Sequence, residues 1–517
     1  MKKRLAFLAM ALIMIIPYTG TATAKAESDS YQPKREMRAA WIASVENIDM
    51  PSGKNKEEFK DWAANTMSQI ENQNFNSAVF QVKPAGDALY PSDIEPWSSY
   101  ITGENQGTDP GYDPLQIMLD AAHQRGIELH AWVNPYRLTM PGEELSDLSE
   151  TNVAVKHPEW VVNYGDQYYL DPGIPETQEY VIKTIEELVN NYNIDAVHMD
   201  DYFYPYRIAG EDFPDSDSFD QFGENYENKE DWRRNNVNTL VDDINTAIKS
   251  IDPSVEYGIS PFGVWRNDSV DPSGSDTTAA QTNYDDLYAD TRQWIKNGSL
   301  DYITPQIYWS RDFQPANYTI LQKWWENEVD QYSQVHPTNL YIGLADYKVG
   351  TDTIDDTWNN PAELTEQIKD NRNHSGVEGQ MHFSWSKILQ NKLSYMDLVQ
   401  DEVYYTKALV PEAPWNGEQK PKKPNRIKVE HNNNNIYIYD NKEAEKFVVY
   451  RFEGNKEGDY SNPENIAGVV YSEGKETLFV DEEAEKDQDY TYGVKSLSST
   501  NIESKDAKKA KTKNHNS

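Results

Sequence analysis

The stretch Ala196-Val-His-Met-Asp-Asp201 decides the fold of this chain, because it combines a short buried strand with acidic residues at its end. Side chains alternate along a strand, so His198 and Asp200 share one face while Val197 and Met199 share the other. The apolar face packs against helices, which leaves His198 and Asp200 pointing into a closed sheet. The stretch is therefore predicted to be a barrel strand with a carboxylate at its C-terminal end.

Seven further apolar runs accompany this strand, and amphipathic stretches separate them. The eight runs span 37–44, 77–83, 129–134, 196–200, 256–261, 302–308, 340–345 and 380–385. The stretches predicted to be helices are 57–72, 114–125, 177–191, 232–250, 285–296, 321–332 and 362–371. Buried strands that alternate with helices predict a parallel sheet, and about eight such units predict a (β/α)8 TIM barrel. The alternative, a doubly wound open sheet, normally has a glycine-rich phosphate turn after an early strand, and the sequence contains none.

A smaller domain is predicted to follow the barrel, which we assign to residues 27–408. A linker containing Pro411, Pro414, Pro421 and Pro424 spans 409–424. Short alternating runs over 425–504 then predict a small all-β sandwich that is similar to a fibronectin type III module. The lysine-rich end, 505–517, is predicted to be a disordered tail.

The N-terminal sequence predicts that the protein is exported. Lys2, Lys3 and Arg4 precede an apolar run over 5–16, and Ala22-Thr-Ala24 is a small-residue cleavage site. Residues 1–26 are therefore predicted to be a secretory signal peptide, which places the mature protein outside the cell or in the cell wall. An uncleaved membrane anchor is the alternative, but the run is short for a span of about 20 residues.

Composition narrows the possible partners. The 517 residues carry a formal net charge of -38, which disfavours nucleic acid and anionic membranes as partners. The chain has no cysteine, so disulfides, thiolate nucleophiles and lipid attachment to cysteine are excluded. We expect a monomer with no stable membrane anchor.

Motifs for metals and cofactors are also missing from the sequence. It has no zinc-protease motif, nucleophile elbow or P-loop, and we expect no cofactor and no metal. One loop contains four aspartates that could hold calcium, although a solvated acidic loop fits their spacing better. These are Asp212, Asp215, Asp217 and Asp220.

Active sites of TIM barrels lie at the C-terminal ends of the strands, so the residues that close each run are the candidates. Hydrolysis of a glycosidic bond normally uses two carboxylates, and Asp200 and Asp201 are the predicted catalytic pair. Asp87 and Asp346 are the alternatives for the second carboxylate. Polar groups interleaved with aromatic rings are typical of a sugar cleft. The predicted substrate-binding residues are Lys83, Trp132, Asn134, Tyr136, Arg137, His198, Trp265, Arg266, Gln306, Tyr308, Trp309 and Asp346.

Basic residues also follow the strand ends, in spite of the acidic composition. If they surround the site, the polysaccharide substrate is predicted to be anionic; the alternative is that they pair with nearby acids. The residues are Lys83, Arg137, Arg207, Arg266, Arg311 and Lys348.

Several ordered motifs resemble the glycosyl-hydrolase-like 10 family over residues 34 to 400, outside the C-terminal module. They are Arg35-Glu-Met-Arg-Ala-Ala-Trp41, His198-Met-Asp-Asp-Tyr-Phe-Tyr-Pro205, Trp232-Arg-Arg-Asn-Asn236, Gly258-Ile-Ser-Pro-Phe-Gly263 and Pro305-Gln-Ile-Tyr-Trp309. The resemblance implies a TIM barrel that acts on a glycan, and some relatives are taken to cleave peptidoglycan strands stripped of their peptides. The His198-x-Asp200 pair is also similar to the nucleophile motif of amylase-like barrels. Those barrels supply a Glu from the fifth strand, and this chain departs from them because 258–263 contains no acid.

The sequence thus favours a secreted hydrolase of O-glycosyl bonds. In this reading His198, Asn134 and Gln306 position the sugar or a carboxylate, and the Trp and Tyr side chains stack on rings. A non-catalytic cell-wall glycan-binding protein, with the C-terminal module as a spacer, is the main alternative. A second alternative assigns the key glycan contact to the C-terminal module itself.

Overall fold

The computed structural model describes residues 31–417, 420–430, 434–440, 444–485 and 488–512. The predicted signal peptide and the last five residues lie outside these ranges. In the described part of the chain, no helix combines the length and the apolar character needed to cross a bilayer.

The first part of the chain is a closed parallel barrel, as predicted. Eight strands form it in the order β1-β10-β9-β8-β7-β6-β3-β2, while β4 and β5 form a separate antiparallel hairpin. The strands are β1 (Met37–Ile42), β2 (Ser77–Lys83), β3 (Glu128–Val133), β4 (Val161–Tyr164), β5 (Gln167–Leu170), β6 (Ala196–Met199), β7 (Glu256–Ile259), β8 (Tyr302–Ile303), β9 (Asn339–Leu344) and β10 (Val377–His382).

Helices connect the strands and cover the outside of the barrel. They are α1 (Lys56–Asn72), α2 (Ser99–Thr102), α3 (Pro114–His123), α4 (Val153–Lys156), α5 (Pro175–Asn191), α6 (Ser216–Phe222), α7 (Lys229–Ile251), α8 (Asn283–Asp286), α9 (Thr291–Asn297), α10 (Tyr318–Tyr332), α11 (Glu363–Arg372), α12 (Trp385–Gln390) and α13 (Tyr395–Glu402). N-capping residues in the sequence determine where several of these helices begin. Asn55 and Glu58 form a capping box at α1, and the Asp113 side chain caps α3 ahead of Pro114.

Two predicted elements are shorter in the structure than the sequence pattern suggested. The sixth apolar run, predicted over 302–308, pairs continuously only to Ile303, because Pro305 has no amide hydrogen to donate. Gln306 then makes isolated bridges to Phe262 and Gly343. The helix predicted over 285–296 is divided into α8 and α9, since Tyr288 adopts a positive φ of 54° and Asp290 caps a new helix.

The barrel wall separates two apolar layers, and β6 shows the alternation that its sequence predicted. Val197 and Met199 belong to the outer core between strands and helices. Ala196 packs with Trp132 and Tyr302 in the inner core. His198 also faces inward, because the indole nitrogen of Trp41 donates to its Nε2 at 3.2 Å.

The C-terminal module consists of two antiparallel sheets with the strand orders β11-β12-β15 and β14-β13-β16-β17. Apolar side chains from both sheets, including Ile436 and Phe447, share one core. The strands are β11 (Arg426–Glu430), β12 (Asn435–Tyr439), β13 (Lys446–Glu453), β14 (Ile466–Tyr471), β15 (Glu476–Val480), β16 (Tyr490–Leu497) and β17 (Lys508–Lys511).

The prediction of a disordered tail from residue 505 is wrong for β17. This strand pairs antiparallel with β16, from Val494 opposite Lys508 to Thr491 opposite Lys511. Backbone hydrogen bonds of an edge strand need no apolar side chains, and lysines are common at such edges. The small side chain of Ala510 packs against the core of the module.

The module docks against the N-terminal end of the barrel, opposite the strand ends that carry the candidate site. Lys446 donates to Glu128, the first residue of β3, at 2.6 Å. The Tyr471 hydroxyl donates to Asp195, just before β6, at 2.5 Å. The predicted linker is partly buried at Leu409 and Val410. The module is therefore packed onto the barrel and is not a detached spacer.

Gly126 lies where the barrel and the module approach most tightly. Its φ is +69°, and a Cβ at this position would lie 2.2 Å from the carbonyl oxygen of Val469 in the module. Gly111 is a matched comparison, because its φ is +75° and a Cβ there would meet no atom within 4 Å.

We expect Gly111→Ala to lower the free energy of unfolding by about 1 kcal/mol through backbone strain alone. Gly126→Ala should cost about 2 kcal/mol more, because the added methyl group overpacks the docking surface. Urea unfolding measures both losses, and faster proteolysis in the linker would report undocking. Equal losses in the two variants would show that the contact with Val469 does not matter.

Candidate active site

The candidate site lies at the C-terminal ends of β3, β6 and β7. Asp200 directly follows β6, Asn134 follows β3, and Ser260 follows β7. These three strands are neighbours in the closed barrel, so their ends meet at one place. The parallel fold thus brings together polar residues that are distant in sequence.

Asp200 is held by donors from two strands. Its Oδ2 accepts from Asn134 Nδ2 at 2.6 Å and from Trp132 Nε1 at 3.2 Å, and its Oδ1 accepts from the Tyr202 amide at 3.3 Å. Asn134 is itself fixed, because Gln81 donates to its Oδ1 at 2.7 Å. The carboxylate of Asp200 is therefore held in one orientation by a buried network.

Asp201 faces the opposite side of the site, toward the β7 and β8 ends. Its carboxylate accepts a hydrogen bond from the hydroxyl of Tyr206 and another from the side chain of Gln306. Gln306 is anchored by donating to the Ser260 carbonyl at 2.8 Å. Asp200 and Asp201 are only 5% and 3% exposed, so both carboxyl groups are largely removed from water.

Burial changes the proton affinity of both groups. Burial raises the pKa of Asp201 to about 7, and the negative charge of Asp200 adds to this rise. Burial also raises the pKa of Asp200, but Arg137 and the donors on Asn134 and Trp132 oppose that rise. The positive charge and the donors beside Asp200 therefore favour Asp201 as the holder of a proton shared by the pair.

Of the six basic residues that follow the strand ends, Arg137 is the one whose charge acts on Asp200. It donates to the Pro84 carbonyl at 2.9 Å, and its guanidinium lies 5.4 Å from the Tyr202 ring. The other five pair with nearby acids, so the alternative explanation holds for them. The pairs are Lys83–Glu95, Arg207–Asp286, Arg266–Asp285, Arg311–Glu363 and Lys348–Asp352.

An aromatic wall lies beside Asp201. The ring of Tyr206 is 6.2 Å from that of Phe262, which is 5.4 Å from Trp309, and Tyr206 is 37% exposed. Trp309 was predicted here, while Tyr206 and Phe262 were not. The aromatic run directly after Asp201 was the signal for Tyr206, since this loop must fold back over the strand end. Tyr308 packs nearby on Tyr347 and Phe383.

The structure places four of the predicted substrate-binding residues elsewhere. Tyr136 is buried in the core between strands and helices, and Trp265 stacks on Trp324 at 5.9 Å with Arg292 over its ring. Lys83 is 1% exposed in its pair with Glu95. Arg266 is held by Asp285 and Asp271. These four side chains are buried in the core, stacked on other rings or paired with acids, and their role in substrate binding stays a prediction.

The two alternatives for the second carboxylate are held in separate networks. Both oxygens of Asp346 lie within 3.2 Å of His382 Nδ1, and the Tyr395 hydroxyl donates to one of them at 2.9 Å. Asp87 accepts from the Ala85 amide at 3.1 Å within its own loop, and burial raises its pKa to about 7. Asp346 is 2% exposed, and its predicted role in substrate binding stays a prediction.

His198 lies below Asp200 in the inner core and is fully buried. Its Nε2 is 3.2 Å from Trp41 Nε1 and 3.0 Å from Ser260 Oγ, and its Nδ1 is 3.0 Å from the Tyr302 hydroxyl. His198 therefore supports the floor of the site and does not offer a nitrogen atom to a ligand in the cleft.

The acidic loop after β6 is tied down by basic residues. Arg233 pairs with Asp212 at 2.9 Å and with Asp215 at 2.6 Å, and Lys229 lies 3.3 Å from each. Within the part of the chain that the structure describes, no three acidic or histidine side chains group as metal ligands would.

Because the folded pKa of Asp201 is above its ordinary value of 3.8, the protonated carboxyl favours folding. This contribution is complete below pH 3.8 and is lost as the pH rises through about 7. We expect Asp201→Asn, which cannot ionise, to lose less stability than the wild type between these pH values. Urea unfolding across the range measures the difference.

The exposed Asp93 provides the control for that experiment. Asp93→Asn should follow the wild-type pH dependence, since its carboxyl faces solvent. If Asp201→Asn also followed it, the proton would not reside on Asp201.

Comparison with known proteins identifies the family of this chain. The family model for glycosyl hydrolase-like 10 matches residues 36–360. The chain is 46% identical over 489 residues to glycosyl hydrolase YngK of Bacillus subtilis (strain 168), covering 92% of this chain and 94% of that protein. It is 43% identical over 354 residues to glycosyl hydrolase DigH of Escherichia coli (strain K12), covering 65% of this chain and 78% of that protein. The chain therefore belongs to the glycosyl hydrolase-like 10 family.

Proposed function

We propose that this protein hydrolyses O-glycosyl bonds of a polysaccharide, with Asp201 and Asp200 as the acid and the anion of the reaction. The observation that carries the proposal is the pair of buried carboxyl groups at the barrel's C-terminal end, with Asp200 held by Asn134 and Trp132 and Asp201 held by Tyr206. Glycoside hydrolysis normally needs one protonated and one ionised carboxyl group flanking the scissile bond. Membership of a glycosyl hydrolase-like family supports the same reaction class.

Each carboxyl group has a distinct role in this proposal. Asp201 keeps its proton near neutral pH and donates it to the leaving glycosidic oxygen, so that oxygen departs as a hydroxyl. Asp200 stays ionised beside Arg137 and serves the anomeric carbon as nucleophile or as the base for a water. Water supplies the hydroxyl group of the new reducing end, and Asp201 regains a proton to complete the cycle.

The surroundings of the pair support a sugar as the ligand. Tyr206, Phe262 and Trp309 form an aromatic wall against which sugar rings can pack. Arg137 supplies positive charge on the Asp200 side. We therefore propose an anionic glycan, such as a peptidoglycan strand without its peptides. The N-terminal sequence supports export to the place where such a polymer is found.

A non-catalytic glycan-binding role is the second candidate, favoured by the burial of both carboxyl groups. At 5% and 3% exposure, the two groups offer little open surface to a polymer. The two candidates differ in whether a product is formed.

We expect Asp200→Asn and Asp201→Asn each to lower the hydrolytic rate by about 1,000-fold, because each removes one of the two proton functions. The assay incubates purified protein with denuded glycan strands, intact peptidoglycan or neutral polysaccharide and measures the products by mass. Asp312→Asn is the control, since this exposed aspartate follows β8 at the same end of the barrel.

Two results would contradict this assignment. If both variants released products at the wild-type rate, neither carboxyl group would act in catalysis. If the wild type bound the strands and released nothing, the glycan-binding role would stand.

Arg137 and Arg266 provide a matched pair for testing the charge of the substrate. Arg137→Gln should lower turnover of anionic glycans by about tenfold more than turnover of neutral ones, as expected for one lost charge interaction of about 1.4 kcal/mol. Arg266→Gln should not discriminate, because Asp285 and Asp271 already neutralise Arg266. Equal losses on charged and neutral glycans in Arg137→Gln would reject the anionic substrate.

A further inference from the structure

A chain of buried hydrogen-bonding groups runs through the barrel interior from the candidate site to the docked module. The Tyr302 hydroxyl lies 3.0 Å from Nδ1 of His198 and 3.0 Å from Nδ1 of His130. Nε2 of His130 lies 3.5 Å from Glu128, and Glu128 accepts from Lys446 of the module at 2.6 Å. We refer to Glu128, His130, Tyr302 and His198 as the histidine chain.

The donors and acceptors along the histidine chain can be assigned in order. The indole N–H of Trp41 can only donate, so Nε2 of His198 accepts and its proton is on Nδ1. That proton points to the Tyr302 oxygen, so the Tyr302 hydroxyl donates onward to His130 Nδ1. His130 then carries its proton on Nε2, the nitrogen that faces the Glu128 carboxylate. Every donor in the chain points away from the candidate site.

The negative charge of Glu128 determines the direction in which the groups of the histidine chain donate hydrogen bonds. Burial opposes a charge on Glu128, yet the attraction of Lys446 holds its pKa below the ordinary value. Asn501 also donates to the carboxylate at 2.8 Å, the negative charge of Asp195 opposes its ionisation, and burial raises the pKa of nearby Glu256 well above its usual value. Lys446 is therefore the cation that keeps Glu128 ionised.

We infer that Lys446 is a positioning residue for the candidate site: by holding Glu128 as an anion, it acts together with the N–H of Trp41 to orient the histidine chain, so that His198 carries its proton on Nδ1. The module therefore supplies a charge that acts on groups inside the barrel, in addition to packing against the barrel. Its effect reaches Asp201, because Ser260 contacts His198 through its hydroxyl and holds Gln306 through its carbonyl.

Removing the charge of Lys446 should reverse the direction in which the groups of the histidine chain donate hydrogen bonds. An unpaired buried carboxylate is costly, so a proton binds to the Glu128–His130 pair. Asn501 still donates to Oε1 of Glu128, so the proton binds Oε2, the oxygen that faces Nε2 of His130. Glu128 then donates to Nε2, and Nδ1 of His130 bears hydrogen. Tyr302 must then donate to His198, whose own proton moves to Nε2, where it meets the N–H of Trp41.

Nitrogen-15 NMR of the imidazole rings tests this inference on the full chain labelled at histidine. Long-range proton–nitrogen spectra distinguish a protonated ring nitrogen from a bare one, and His198→Gln assigns the His198 signals. The wild type should show His198 protonated at Nδ1. Lys446→Met should move the proton toward Nε2, and so should Lys446→Gln, which keeps a hydrogen-bond donor and remains useful if the methionine variant does not fold.

Two further variants distinguish the effect of the Glu128 charge from the effect of docking the C-terminal module. Tyr471→Phe removes the hydrogen bond to Asp195 at the same interface and leaves the charge of Glu128 unchanged, so it should keep the wild-type pattern. Glu128→Gln with Lys446 in place should give the reversed pattern, because its amide oxygen accepts from Lys446 and Asn501 and its amide nitrogen donates to Nε2 of His130. A folded Lys446 variant with unchanged His198 signals would overturn the inference, and so would the same change in Tyr471→Phe.

The consequence for turnover rests on the proposed hydrolytic function, whereas the proton position does not. In the glycan assay, Lys446→Gln should lower kcat by about tenfold or more with KM unchanged, since a misplaced supporting group costs rate. A wild type without hydrolytic activity would refute the proposed function and leave the NMR result to decide the role of Lys446.

Discussion

The desolvation of two adjacent carboxyl groups at the end of β6 is the constraint on which the site depends. A buried carboxylate is stable only where donors or a positive charge replace the lost water. Asn134 and Trp132 supply those donors to Asp200, and Tyr206 and Gln306 supply them to Asp201. Each of these side chains needs its own support, so the constraint extends to Gln81 on β2 and Ser260 after β7.

At the opposite end of the barrel, buried acidic groups are stabilised by the C-terminal module. Glu128, Asp195 and Asp301 lie at or just before the starts of strands, where they would repel one another if unpaired. Lys446 and Tyr471 of the module meet the first two, and the indole of Trp415 in the linker donates to Asp301 at 3.0 Å. The module is therefore best understood as the closure of the barrel's N-terminal end, and its removal would expose this acidic surface.

Repetition along the chain made the architecture predictable. Apolar runs and amphipathic stretches are local patterns, so eight strand–helix units could be read without knowing any long-range contact. Local patterns did not predict where backbone features end an element. Pro305 ends the pairing of β8, and the positive φ of Tyr288 separates α8 from α9. The tail prediction failed at β17 because pairing of an edge strand depends on backbone groups, which the lysine-rich composition does not reveal.

By itself, the sequence determined the family, the barrel, and the inward position of His198 and Asp200, because each follows from ordered motifs or from alternation along one strand. Only the tertiary structure decided which strand-end residues meet Asp200. Lys83, Tyr136, Trp265 and Arg266 lie at or after strand ends as Asn134 and Gln306 do, but their side chains are buried in the core, stacked on other rings or paired with acids. The physical reason is that the partner of a polar side chain depends on barrel register and loop path, which bring together groups far apart in sequence. The proton assignment of Asp200 and Asp201 depends on the same contacts, since burial and neighbouring charge exist only in the folded chain.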